Sequence, residues 1–474
     1  MFKIKIIIVL GLAFLLASCA PAKPDQKTGV EARFEYVKET DILLRAFLQD
    51  MPKGGDLHNH LFGAVYAEDW LRWAEEDGMC IDAKALALRF PGHNGCDALS
   101  TAKTVLLGDQ VLRNQLIDKF SVRDFVPYSG WSAHDQFFQT FGAMAAMPSR
   151  FGDMVAQTAN LAGEQNVQYL ELLHTMELFD TILPMVGGIA LSGDADADYQ
   201  TLMASEFGQE LPNMVARAKR DIDIAEARKV DILKCGTAQA MPGCDVTVRY
   251  LNQPVRTLPL SAVFAHTIFG WHLMEQDSRF VGTNLVAPED DFIALRDYDD
   301  HMEQIDYLYK SLGPRNVSLH AGELWLGLVH PSELRDHIQK AVKIGHAKRI
   351  GHGTDIIFET NYKDLLKYMA EHEIMVEINL TSSDALLGIT GNEHPYLVYK
   401  NAGVPLSFST DDEGVARIDL THEYMRAVKE LNVSYAELKH YTYNGLRYAF
   451  IDADKKADMI KVLDVKFTAF ESQF

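Results

Sequence analysis

Two histidines one residue apart, His58 and His60, close the segment KGGDLHNH. In an extended strand, residues i and i+2 project to the same side, so both imidazoles would aim at one point. A metal ion is the usual reason for such a pair. Further along, SLHAGE places Glu323 in the loop that follows His320. One of these side chains can bind a metal while the other reaches a substrate beside it. RIGHG sets His352 between two glycines, which let backbone approach closely and the ring project. SFSTDDEG supplies Asp411 and Asp412, adjacent carboxylates that repel each other unless a cation or a hydrogen-bond donor stands between them. Taken singly, each piece has a plainer explanation: a surface or core histidine, a turn, a solvated helix cap. Their order and spacing make metal-assisted chemistry the joint explanation.

These side chains need elements that bring them together. Residues 30–50 carry Phe34, Val37, Leu44, Phe47 and Leu48 at helical spacing and predict an amphipathic helix ahead of the body. GGDLHNH predicts a first strand, NVQYLELL a second, VTVRYLNQ a third and RFVGTNLVAPED a fourth. Between the second and third, residues 180–213 have the Gly, Asp, Ala and Pro content of an irregular insertion with some helix, and 214–230 that of a charged helix. After residue 298 the pattern becomes regular. Helical stretches 299–311, 332–344, 362–373 and 395–402 precede NVSLHAGE, KRIGHG, IMVEINLTSS and VPLSFSTDDEG. Apolar strands alternating with helices argue for parallel β/α units. His320, His352, Asn379 and Asp411 each stand at the C-terminal end of such a strand. The expected fold is α/β, a (β/α)8 barrel with an N-terminal helical extension and an insertion between early strands. The chemistry of such a barrel sits at the C-terminal face of its strands.

The chain has 474 residues, 47% hydrophobic and 23% charged, enough for a large core. Lys plus Arg number 45 and Asp plus Glu 66, a net charge of −21. Such an acidic surface repels phosphates, which excludes direct nucleic-acid binding as an expectation. The N-terminus has Lys3 and Lys5 followed by an apolar run from Ile6 to Ala17, the form of a signal-peptide core. Leu16-Ala17-Ser18-Cys19 resembles a bacterial lipoprotein box. The expectation is a signal peptide over 1–18, a lipidated Cys19 beginning a tether over 19–29, and a catalytic domain over 30–474. Such a protein is an exported lipoprotein, facing the periplasm or on the outer membrane, and touches membrane through its lipid alone. Four cysteines remain, and an oxidising compartment allows disulfides Cys80–Cys96 and Cys235–Cys244.

The ordered set MPKGGDLHNH, HAGE, RIGHG, EINLTSS and STDDEG resembles the adenosine deaminase family of metal-dependent hydrolases. MPKGGDLHNH and the N-terminal region are similar to the secreted adenosine deaminase-related growth factor branch. The resemblance runs from about Met51 to the C-terminus and is least in 180–245. It implies one zinc ion per chain, held by His58, His60, His320 and Asp411, a shell that suits zinc chemically as well. It implies hydrolytic attack at purine C6, with His352 orienting the water and Glu323 giving a proton to ring N1. Asp412 would meet N7, Gly282 would present a backbone amide to the base, and His60 would border the substrate. Two departures bear on the substrate. Where the family commonly has GxDLxGxE this chain has GTNLVAPED, with Asn284 at the aspartate and Pro288 in place of a glycine. Phe62 stands where many members carry an aspartate that contacts the sugar.

The leading expectation is therefore deamination of adenosine or 2'-deoxyadenosine to inosine or deoxyinosine. A related barrel amidohydrolase acting on a modified purine or an amide is an alternative. Its two-metal form usually needs a bridging carboxylate, often a modified lysine, and VGTNLV offers no lysine. A catalytically inactive purine-binding surface protein is the other alternative. Glu323, His352 and Asp412 argue against it, since a binder has no use for a proton donor beside a metal.

Overall fold

The computed structural model describes residues 29–97, 99–144 and 147–474. The expected signal peptide, Cys19 and all but the last residue of the tether lie outside these residues. Eight parallel strands form the centre: β1 Lys53–His60, β2 Val167–His174, β3 Thr247–Asn252, β4 Phe280–Thr283, β5 Ser318–Ala321, β6 Arg349–His352, β7 Met375–Ile378 and β8 Leu406–Phe408. They make two four-stranded sheets, ordered β1-β2-β3-β4 and β8-β7-β6-β5. Single parallel bridges, Asn59 to Asp411 and Thr283 to Val317, join the two sheets at both edges. At the first seam Asp411 N donates to His58 O at 2.8 Å and His60 N to Asp411 O at 3.0 Å. Every chemistry-bearing strand therefore ends on the same side of the molecule.

Burial on both faces explains the composition of most strands, which are apolar runs as expected where helices cover a parallel sheet. β1 is different. KGGDLHNH is polar in sequence and buried at every residue, so its side chains must find partners inside. Its pairing with β2 slips between Asp56 and Asn59, an irregularity that re-aims side chains next to the site. Gly54 and Gly55 belong to the strand, and the reason for them is close approach of helix Tyr435–Arg447. A Cβ at Gly54 would lie 2.2 Å from Thr442 O, and one at Gly55 2.6 Å from Gly445 O.

The insertion after β2 is more helical than the irregular segment with some helix expected over 180–213, and the charged helix expected over 214–230 is part of its longest helix. Helices Leu183–Val186, Ala195–Ala204 and the 27-residue Glu206–Ile232 fill it. Phe207, Leu211, Met214, Val215, Ala218, Ile222 and Ala225 form the buried stripe of the long helix, a 3.6-residue period that its Gly and Pro content masks. Between β1 and β2 the chain also builds an antiparallel sheet of Cys80–Asp82, Ala87–Arg89 and Ser100–Thr101, absent from the sequence-based expectation. Strands of two or three residues carry too little periodicity to be seen. Both expected disulfides are formed, Cys80–Cys96 and Cys235–Cys244. Helix Ala133–Ala143, started by a capping box of Ser132 and Asp135, packs against helix Leu380–Leu387 after β7 and Glu413–Ala416 after β8. It therefore lies near the strand ends that carry the site. No helix of the described residues is long and apolar enough to cross a membrane.

Two glycines separate close packing from backbone cost. Gly54→Ala drives a methyl into the Thr442 carbonyl and should destabilise by about 3 kcal/mol. Gly142→Ala, on an exposed helical position with nothing within 4 Å, should stabilise by about 0.5–1 kcal/mol. Urea unfolding of both variants checks the pair, and equal effects would remove the close-approach account of Gly54.

Candidate metal centre

Four side chains from two strand ends and one seam converge. His58 Nε2 lies 3.0 Å from His320 Nε2, and His60 Nε2 lies 3.2 Å from the same atom. Asp411 Oδ1 is 3.4 Å from His58 Nε2 and 3.1 Å from His60 Nε2. A tetrahedron with metal–ligand arms of 2.0–2.1 Å has edges of about 3.3 Å, so these separations match the faces of one small cation's shell. His58, His60, His320 and Asp411 are all buried.

The second nitrogen of each imidazole explains why the first is bare. His58 Nδ1 lies 2.8 Å from Glu377 Oε2, His60 Nδ1 3.0 Å from Gln253 Oε1 and His320 Nδ1 2.8 Å from Asn284 Oδ1. Each acceptor holds the Nδ1 proton and turns the Nε2 lone pair inward. Three lone pairs and a carboxylate oxygen then face one another out of water, an arrangement that repels itself without a cation. Glu377 continues into a buried chain. Arg349 Nε is 2.5 Å from Glu377 Oε1, Arg349 Nη2 is 2.6 Å from Glu171 Oε2, and all three side chains are at most 1% exposed. Ser318 Oγ also donates to Glu377, at 3.1 Å.

Beside the cluster stand the proton-handling candidates. Glu323 Oε1 is 3.4 Å from His352 Nδ1, and His352 Nε2 is 4.0 Å from Asp411 Oδ2. Burial first, and then the negative charge of Asp411, pushes the Glu323 carboxyl well above the usual carboxylate range. Burial brings His352 down to about 3, so its ring is neutral, and its Nε2 has no hydrogen-bond partner. Asp412 is pushed up to about 7 by burial, with His60 opposing and Asp411 adding to it. Its Oδ1 is buried without a partner. Asp411, although burial raises it, is held well below the usual carboxylate range by the imidazoles of His58 and His60 that face its oxygen. His352 and Asp411 have φ of +68° and +62°. Non-glycine residues in the left-handed region cost about 1–3 kcal/mol and concentrate at functional sites.

Gly282 sits inside β4, where an added side chain would meet Phe450 and Leu251. Counted from Gly282, the second glycine of the GxDLxGxE pattern falls on Ala287, whose φ of +82° keeps a glycine-like backbone, and not on Pro288. Asn284 keeps the acceptor function of an aspartate towards His320. Phe62 packs on Trp70, ring centroids 4.6 Å apart, with Phe141 at 6.3 Å. His266 Nε2 donates to the Met176 carbonyl at 2.9 Å, and His174 stacks on Phe151. Sequence reasoning missed Glu377, Gln253 and Glu289. A lone acid inside an apolar strand, as in IMVEINL, was the available signal for the first.

Comparison with known proteins agrees with this arrangement. The adenosine deaminase family model matches residues 209–466, more than half of the chain, a span that holds His320, Glu323, His352, Asp411 and Asp412. An adenosine deaminase of Shewanella loihica is 28% identical over 319 residues, covering 66% of this chain and 88% of its own. An amidohydrolase from Burkholderia ambifaria, crystallised with bound Zn, shares the fold with a TM-score of 0.57 at 16% identity, covering 90% of this chain and 94% of that one. The N6-methyl-AMP deaminase of Arabidopsis thaliana does so with a TM-score of 0.55 at 18% identity, over 89% and 98% of the two chains. His58 and His60 lie upstream of the matched span and join it only through the fold. With the ordered motifs and their convergence in space, the family match leads to one conclusion: the chain belongs to the adenosine deaminase family of hydrolytic deaminases.

Proposed function

We propose that the protein is a zinc-dependent deaminase of adenosine-type purine nucleosides, built on a (β/α)8 barrel. The observation that carries this reading is the convergence of three bare Nε2 atoms and Asp411 Oδ1 beside the buried Glu323. His58, His60, His320 and Asp411 would hold one zinc ion, which when bound supplies water of a pKa lowered toward 7 as nucleophile. Glu323, whose proton is retained by burial, gives that proton to purine N1. His352, neutral and with a free Nε2, hydrogen-bonds and orients the attacking water and assists its proton transfer. Asp412, whose hold on a proton is raised by burial, shares a hydrogen bond with purine N7. Ammonia leaves, and adenosine becomes inosine.

Phe62 supports a nucleoside whose sugar is not gripped by a carboxylate at this point, because a ring cannot accept hydroxyl protons as a carboxylate does. Adenosine and 2'-deoxyadenosine both meet that condition. The N-terminal pattern ending at Cys19 and the two disulfides support an exported, lipid-anchored protein with its catalytic domain over 30–474.

The direct test is ammonia release by the purified protein from adenosine, 2'-deoxyadenosine, adenine, adenosine monophosphate and methylthioadenosine. Turnover of adenosine or deoxyadenosine above the others is expected, and none from any purine would end the reading. Glu323→Gln should retain the metal and lose about 10²–10⁴-fold in turnover, whereas a near-normal rate would remove Glu323 as proton donor. His58→Ala should lose the metal, and unchanged zinc content by elemental analysis would take His58 out of the shell. Glu377→Gln should weaken zinc affinity about 10–100-fold, read by competition with a chromogenic chelator. Affinity equal to the parent would show that Glu377 does not set the His58 ring.

A further inference from the structure

Glu289 is a buried acid that the reaction as described does not use. It lies in the loop after β4 and is 1% exposed. Its two oxygens accept two successive backbone amides of the HAGE loop: Gly322 N donates to Oε1 at 3.1 Å, and Glu323 N to Oε2 at 2.8 Å. Glu289 is itself held from two other directions. His337 Nδ1 lies 2.6 Å from Oε1, and Arg256 Nη1 is 3.9 Å from Oε2. Arg256 is fully buried, and its remaining bonds go to Ala287 O at 2.8 Å and His320 O at 3.1 Å. The left-handed backbone of Ala287 thus belongs to the same clamp.

The other side of the HAGE loop is held as well. Thr354 N and Asp355 N donate to Gly322 O at 2.8 and 3.1 Å, and Gly353 N to Ala321 O at 3.1 Å. Gly322 has φ +73°, and a Cβ there would lie 2.4 Å from Asp355 Oδ1. The Ala321–Glu323 turn is therefore fixed through its carbonyls by the segment after His352 and through its amides by one carboxylate. An ionised carboxylate accepting two N–H groups makes stronger bonds than a neutral acceptor.

We propose that Glu289 is a positioning residue for Glu323, setting the direction in which the Glu323 carboxyl meets the substrate ring. The inference rests on Glu323 being the proton donor. The partners of Glu289 are the Gly322 and Glu323 amides, His337 and Arg256, none of them a candidate metal ligand, so its removal would alter an angle at Glu323 and leave the candidate ligands in place. A displacement of about 1 Å at a reacting group can cost about 100-fold in rate.

The test uses Glu289→Ala and Glu289→Gln in the zinc-loaded full-length protein, with zinc content and melting measured first. Glu289→Ala should keep its zinc and a KM near the parent while kcat falls about 100-fold. Glu289→Gln retains one amide acceptor and should fall less, which keeps the test open if the alanine variant does not fold. In the Glu323→Gln background, Glu289→Ala should cost almost nothing further, because both changes act through one group. A full additional loss there, a rise in KM without a change in kcat, or loss of zinc would each overturn the proposal. Amide hydrogen exchange over residues 321–325 decides the point without activity. Faster exchange in Glu289→Ala or Glu289→Gln is expected, and exchange equal to the parent overturns the inference even where no purine is turned over.

Discussion

Three imidazole nitrogens and one carboxylate oxygen stand within hydrogen-bond distance of one another, out of water. Each Nδ1 is committed to its own acceptor, Glu377, Gln253 or Asn284, so each Nε2 is the atom left facing the cluster. A single cation there would meet all four groups, and much of the surrounding structure follows from the need to hold them in place. The polar β1 is buried along its length because it delivers two of the imidazoles. The seam between β1 and β8 is closed by Asp411 N and Asp411 O bonded to the backbone of His58 and His60. One of the ligands is thus also the residue that joins the two sheets.

Electrostatics divides the neighbouring acids by environment. Asp411 faces two imidazoles and stays ionised, whereas Glu323 and Asp412, equally buried and without such donors, are pushed up. Acids that lie side by side and titrate apart are what a reaction needs when one group must carry charge and another a proton. The negative charge on Asp411 is itself part of what raises its neighbours.

The sequence showed the ligands more readily than it showed their support. His58 and His60 were legible because a strand repeats every second residue, and His320, His352 and Asp411 because each closes an apolar run. Their acceptors were not. Glu377 lies on a strand other than that of the ring it holds, and Asn284 and Gln253 just beyond the ends of two others. Such pairing depends on inter-strand register, which no local pattern encodes. A buried acid among aliphatic residues, as at Glu171 in YLELL and Glu377 in MVEIN, announces that some partner exists without naming it. In the GTNLVAPED segment, Gly282 sits in β4 beside Phe450, and the left-handed turn falls on an alanine, Ala287, which glycine positions alone do not reveal. The helical insertion was hidden by its composition, since Gly and Pro near its start obscure a stripe that becomes regular only after Phe207.

Arg349 has one further consequence. It stands at the start of β6 between Glu171 and Glu377, with no water to screen any of the three. Replacing either acid would leave the buried guanidinium one counter-charge where it now has two, and breaking such a pair typically costs several kcal/mol. Glu171 is thereby tied, through Arg349 and Glu377, to the ring of His58, and a damaged floor would be felt as a weakened grip at the top.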